Sequence, residues 1–217
     1  MTRVIHITRR TLAWCLGLVL GGVLIFWLLL RITTLTYLRW QLSAASSTLL
    51  GTLSAFAALF IGTQIICYFL RLKHNFTMGL MVLSMLYVFY SLCYVSLGNV
   101  KASNLRDDYG SLHPSLRLAL GTFFMFDPEG ILTDLSREPE DYQKMGLKSL
   151  RRSLHYVQDD GYVHAVDLRT RERSERSNHW MTLYFRAIGL NTKRHVGTAD
   201  HLHVSLPVAS EGDAQGY

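Results

Sequence analysis

Asp200-His201-Leu202-His203-Val204-Ser205 is the stretch on which the reading of this chain turns. Alternate residues of an extended strand project to the same face, so His201 and His203 point one way and Leu202 and Val204 the other. Asp200 stands three residues before His203, in an acid-x-x-His arrangement. Two imidazoles and a carboxylate this close supply what a metal centre uses: neutral nitrogen ligands with an oxygen base beside them. The remaining ligands are expected upstream, in Ser153-Leu154-His155-Tyr156 and Ala165-Val166-Asp167-Leu168. Six of the nine histidines follow residue 150, and that clustering favours a site there.

Outward from this stretch the composition changes. The 217 residues are 49% hydrophobic with a formal net charge of +6, too apolar and too unevenly distributed for one soluble domain. Residues 1–100 carry nearly all the long apolar runs and 101–217 most of the charges. The expected division is an anchor over 1–100, a connecting segment over 101–150, a core over 151–207 and a tail over 208–217. All three cysteines (Cys15, Cys67, Cys93) fall inside apolar runs and read as small buried hydrophobes. The polar part therefore has no disulfide or thiolate chemistry.

Three stretches reach the roughly 20 apolar residues that a bilayer crossing needs. They are Leu12 to Leu30, closed by Arg31; Leu49 to Leu70, closed by Arg71; and about Thr77 to Leu97. The first is too long for the apolar region of a signal peptide and has no small-x-small cleavage site after it, so it reads as a retained helix. Arg3, Arg9 and Arg10 at the N-terminus, and Arg71, Lys73 and His74 in the second loop, outweigh Arg31 and Arg39 in the longer 31–48 loop. The positive-inside rule then leaves the N-terminus in the cytoplasm and residues 101–217 outside it, the periplasm of a bacterial inner membrane. No Asp, Glu, Lys or Arg lies within the spans, which suits an anchor rather than a transporter. Gln64 is expected to hydrogen-bond between helices.

In the remainder, Leu116 to Phe126 is about half a span and reads as a core or interfacial segment. Ser136, Pro139 and Glu140 predict a helix reaching Leu150. Ser153 to Gln158, the turn Asp159-Asp160-Gly161 and Tyr162 to Leu168 predict a β-hairpin. A charged, self-paired connection over Arg169 to Arg176 leads to a helix over Asn178 to Ile188 with Gly189 as its stop. The last strand is His201 to Pro207. No aromatic residues interleave with the arginines of 169–176, so nucleic-acid binding is not expected.

Ser-Leu-His-Tyr (153–156), Ala-Val-Asp-Leu (165–168), an amphipathic helix and Asp-His-Leu-His-Val-Ser (200–205), in that order, resemble the zinc fold of the D-alanyl-D-alanine metallopeptidases. The same fold occurs in lysostaphin-like endopeptidases and in the Hedgehog signalling domain, to which the first two motifs are especially similar. The resemblance covers about residues 150–207. It implies a small α+β domain with an antiparallel sheet, and it does not extend to the three transmembrane helices expected from the apolar runs. It further implies His155, Asp167 and His203 as Zn2+ ligands, Asp200 as general base and His201 as a histidine that stabilises the transition state. Three protein ligands leave the fourth position of a tetrahedral zinc to water, and a carboxylate beside it can take up the proton. The implied substrates are peptidoglycan peptides, cut next to a D-amino acid. A zinc-stabilised module without turnover is the alternative.

The chain departs from the family in one respect. His155 and Asp167 stand twelve residues apart, more than the family's first two ligands do. A longer turn or a bulge is needed to keep both on one face, and His164 is a rival first ligand. The family's upstream substrate-binding arginine has only Arg151 and Arg152 as candidates. His179 and His195 read as surface or supporting residues. On a regular strand Asp200 opposes His201 and His203, so its role as base requires a bend before His201, which Gly197 makes plausible.

Overall fold

The computed structural model describes residues 2–70, 75–138, 140, 153–197 and 200–207, with side chains from residue 21 onward except 70, 75 and 76. Three helices come first: α1 (Thr2–Trp40), α2 (Ala44–Leu70) and α3 (Asn75–Cys93). Two segments among the described residues are long and apolar enough to cross a membrane, Gly21–Trp40 and Ala44–Phe69. The apolar part of α3, Thr77–Cys93, is shorter. α1 and α2 approach closely at Gly51, where a Cβ would collide with the Thr33 side chain and the Leu29 carbonyl. Gln64 donates to Thr77 across α2 and α3 at 3.5 Å, the interhelical bond expected of it.

The helix ends differ from expectation. α1 continues through Arg31 to Trp40, so the loop expected over 31–48 shrinks to residues 41–43. Thr33, Thr34 and Thr36 donate to the carbonyls of Leu29, Leu30 and Ile32 at 2.7–2.8 Å, which lets these hydroxyls be buried within a helix. α3 ends at Cys93 rather than Leu97. Cys67 is buried as expected, whereas Cys93 is exposed.

A single turn, α4 (Asn104–Asp107), precedes α5 (Pro114–Phe126). Pro114 occupies the first helical position of α5, and His113 caps it, Nδ1 accepting the Ser115 N–H at 3.2 Å. The Leu116–Phe126 segment is thus a core helix, with Leu116, Leu120 and Phe123 buried.

The sheet has four antiparallel strands, β1 (Leu132–Asp134), β2 (Ala165–Arg169), β3 (Asn191–His195) and β4 (His201–Ser205), in the order β1-β2-β4-β3. Helix α6 (Glu175–Ala187) joins β2 to β3. It starts three residues earlier than its apolar spacing predicts, because Ser174 caps it by accepting the Ser177 N–H. It stops before Gly189, whose φ is +95°.

Cross-strand pairs Val166–Val204 and Leu168–Leu202 turn one face of the sheet into a core with Met181 and Phe185 of α6 and Leu116 and Leu120 of α5. The same core reaches Leu30 of α1 and Val95. The composition of the chain changes near residue 100, but its packing runs across that point.

The expected hairpin over 153–168 is corrected. Its second arm is β2, but β2 pairs with β1 and β4. Residues 153–164 form a folded loop closed by a single bridge, Val157 to Val163. The helix expected from Ser136 to Leu150 falls mostly outside the described residues, as do Arg151, Arg152 and the tail. Residues 136–138 themselves are not helical.

This loop is clasped to α1. Tyr37 donates to Asp160 Oδ2 at 2.8 Å, and His164 Nε2 lies 3.0 Å from both Asp160 oxygens. The fully buried His113 ring packs on Tyr37 with centroids 4.3 Å apart. Burial, with the neighbouring His164 adding to it, pushes the His113 imidazole from 6.5 down to about 3. The folded state then binds fewer protons than the unfolded one, and stability falls as pH drops from 6.5 towards about 3. His113→Asn keeps a capping acceptor and removes the titration. It should flatten the pH dependence of the thermal midpoint between about pH 6.5 and 4, and an unchanged slope would assign that dependence to other groups.

Candidate metal centre

The second face of the sheet carries the chemistry. Asp167 of β2 lies directly opposite His203 of β4, and Arg169 opposite His201, so these four residues share one face by register. Asp167 is 2% exposed. Its Oδ1 lies 3.0 Å from His203 Nδ1 and 3.4 Å from Nε2 of His155, which the 153–164 loop brings over the sheet. The two imidazole nitrogens are 3.2 Å apart.

These separations fit an ion. Ligand atoms about 2.0–2.1 Å from a tetrahedral zinc stand roughly 3.3 Å from one another. The tautomer of His155 fits as well. Its Nδ1 donates to the Leu135 carbonyl at 2.6 Å, which leaves the lone pair of Nε2 facing Asp167 and His203. His155, Asp167 and His203 thus form a group that could hold a metal ion, and His155 rather than His164 belongs to it. The twelve-residue spacing is absorbed by the folded loop, which carries His155 to the site on its near end and His164 to the Tyr37 clasp on its far end.

The second oxygen of Asp167 accepts from Arg137 Nη2 at 2.9 Å, and Arg137 Nε donates to Asp134 at 2.6 Å. Burial alone would raise the Asp167 carboxyl. The imidazoles of His155, His203 and His201 around it outweigh that and hold the group well below the usual carboxylate range. Arg137 escaped the sequence reading. It is separated from every motif, and only the strand β1, three residues long and invisible to periodicity, brings it here.

His201 stands at the rim, with Nε2 3.7 Å from Asp167 Oδ2. His195 of β3 pairs with it in register and stacks on it, rings 4.8 Å apart at 16°. Burial, and then the neighbouring His201, lowers the His195 imidazole. His179 is exposed on α6, as expected of a surface residue.

Asp200 sits apart from this group. Its carboxylate accepts from Arg194 Nη2 at 3.1 Å and from Thr170 Oγ1, and Arg194 also bonds Glu175 at the start of α6. Those bonds hold the Asp200 carboxyl below its ordinary value. Arg194 pairs with Leu202 in register, so it occupies the face opposite His201 and His203, the side that a regular strand gives Asp200.

No protein-family model, curated protein or solved structure matches the chain.

His203→Ala or His155→Ala should abolish metal binding, since two ligands are too few to hold the ion, whereas His164→Ala should retain it. Arg137→Met should weaken it about 10- to 100-fold by freeing the outer oxygen of Asp167. Metal content after dialysis and chelator competition measure both. Full retention by His155→Ala would move the first ligand elsewhere.

Proposed function

We propose that this chain is a membrane-anchored, zinc-dependent peptidase that hydrolyses peptide bonds next to D-amino acids in peptidoglycan peptides. In this reading its domain shares the fold of the D-alanyl-D-alanine metallopeptidases and lysostaphin-like endopeptidases. The observation that carries the reading is the buried His155–Asp167–His203 group at tetrahedral spacing, with the lone pair of His155 Nε2 turned into it. Zinc there would polarise an amide carbonyl and acidify water. His155 and His203 would hold it as neutral ligands and Asp167 as the anionic one. Arg137 would keep Asp167 ionised and bound through one oxygen. His201, partly exposed beside that carboxylate, is the residue placed to hold or pass a proton at its Nε2.

In the same reading α3 is the third crossing, the N-terminus is cytoplasmic and the metal domain faces the periplasm across a bacterial inner membrane. The excess of arginine at the N-terminus supports that orientation.

One observation favours a second reading, a zinc-stabilised binding or signalling module without turnover. Asp200, the residue matching the family's general base, is engaged by Arg194 and Thr170. For Asp200 to act as base it must leave that ion pair. For the module it needs only to hold β4 to β3 and α6.

Zinc content together with hydrolysis of purified muropeptides separates the two. The peptidase reading expects one zinc per chain and release of a D-amino acid or a cut peptide. His201→Ala should keep zinc and lower turnover about 10²–10⁴-fold. Asp200→Asn should do the same if Asp200 is the base, and retained turnover in that variant would leave the proton to His201. Zinc bound without any cleavage would establish the module. A reporter fused after Tyr217 that is active only in the cytoplasm would remove peptidoglycan as substrate.

A further inference from the structure

Away from the metal, a groove of about 340 Å³ opens where α2 begins and α3 ends, lined by Ala45, Thr48 and Leu49 of α2, Val88 and Leu92 of α3, and Arg117 of α5. Its chemistry is lopsided. Apart from Arg117 the walls are apolar save for Tyr162 and two threonines, Thr48 and Thr52, whose hydroxyls donate to the Ala44 and Thr48 carbonyls at 2.7 and 2.8 Å. Arg117 is the one cation. Its Nη1 donates to the Leu92 carbonyl at 2.6 Å, in the last turn of α3, and its buried Nε has no hydrogen-bond partner. Among the described residues no carboxylate lies within ion-pair distance of it, whereas Arg137, Arg173 and Arg194 each have one. A half-buried guanidinium held by one carbonyl, with a buried N–H left over, lacks its anion.

The position says what kind of anion. The groove lies at the domain-proximal ends of α2 and α3, where the headgroups of one leaflet stand if α2 crosses a bilayer. Below it α2 and α3 carry exposed apolar side chains, among them Leu53, Met85 and Phe89. A ligand that fits has one negative charge for Arg117 and long apolar chains for those side chains. We propose that the groove binds one anionic phospholipid, its phosphate paired with Arg117 and its acyl chains laid along α2 and α3. The site rests on the membrane reading of α2 and is independent of the metal chemistry, so zinc content should be the same with and without the lipid.

Native mass spectrometry of the full chain, released from micelles holding equal phosphatidylglycerol and phosphatidylcholine, tests it. The wild type should retain one phosphatidylglycerol with about five-fold preference, the weight of one basic residue against an anionic headgroup. Arg117→Gln should lose the preference, Arg117→Lys should keep it, and Ala45→Trp, which fills the groove, should lose the bound lipid. If Arg117→Gln fails to fold, the lysine and tryptophan variants decide. Equal retention of the two lipids by the wild type, preference surviving in Arg117→Gln or Ala45→Trp, or displacement by inorganic phosphate or palmitate would each overturn the proposal.

Discussion

A carboxylate with almost no access to water sits at the centre of this structure. Taking Asp167 out of water costs several kcal/mol unless charges and donors replace the lost hydration. Three residues from three parts of the chain surround it: His203 across the strand pair, His155 from the loop above, and Arg137 just after β1. Each partner fixes something else. The His203 contact fixes the register of β2 on β4, and His155 pins the 153–164 loop over the sheet. Arg137 ties β1 to the same point. A site that orients one oxygen of Asp167 towards two imidazoles and the other towards a guanidinium is also the site that ties β2 to β4, to the chain after β1 and to the 153–164 loop.

The opposite face of the sheet is held by another kind of force. Leu168, Leu202, Val166 and Val204 have no polar demands and are satisfied by α5 and α6. Because α5 also packs against α3, and Leu30 of α1 joins the same cluster, the apolar helices and the metal domain stabilise each other. Tyr37 extends that link to the loop that carries His155. The group of His155, Asp167 and His203 is therefore supported from two sides: by the sheet beneath it, and by α1, whose Tyr37 hydroxyl holds the far end of the loop that carries His155.

Asp200 and His201, neighbours in sequence, have been separated by strand geometry. The pleat that sends His201 to the metal face sends Asp200 to the face where Arg194 stands, and Arg194 leads on to α6 through Glu175. Of the imidazoles on the face that carries Asp167, those beyond His155 and His203 are His201, with Nε2 3.7 Å from Asp167, and His195 stacked on it.

The sequence by itself determined the apolar helices, α6 and β4, and it singled out Asp167 and His203, two of the three residues of the group that could hold a metal ion. Those features rest on local periodicity, on turn chemistry and on motifs of a few residues. It also placed Gln64 between helices and left the 116–126 segment as core or interfacial, which packing resolved as core. What it could not determine depends on contacts between distant segments. β1 is three residues long, and β3 (Asn-Thr-Lys-Arg-His) is a polar edge strand whose only reason to be extended is its pairing with β4. The choice between His155 and His164, the arrival of Arg137, the continuation of α1 to Trp40 and the capture of Asp200 by Arg194 were settled in three dimensions. In each case a charge or a hydrogen-bonding group needed a partner, and the nearest one in space was far away in sequence.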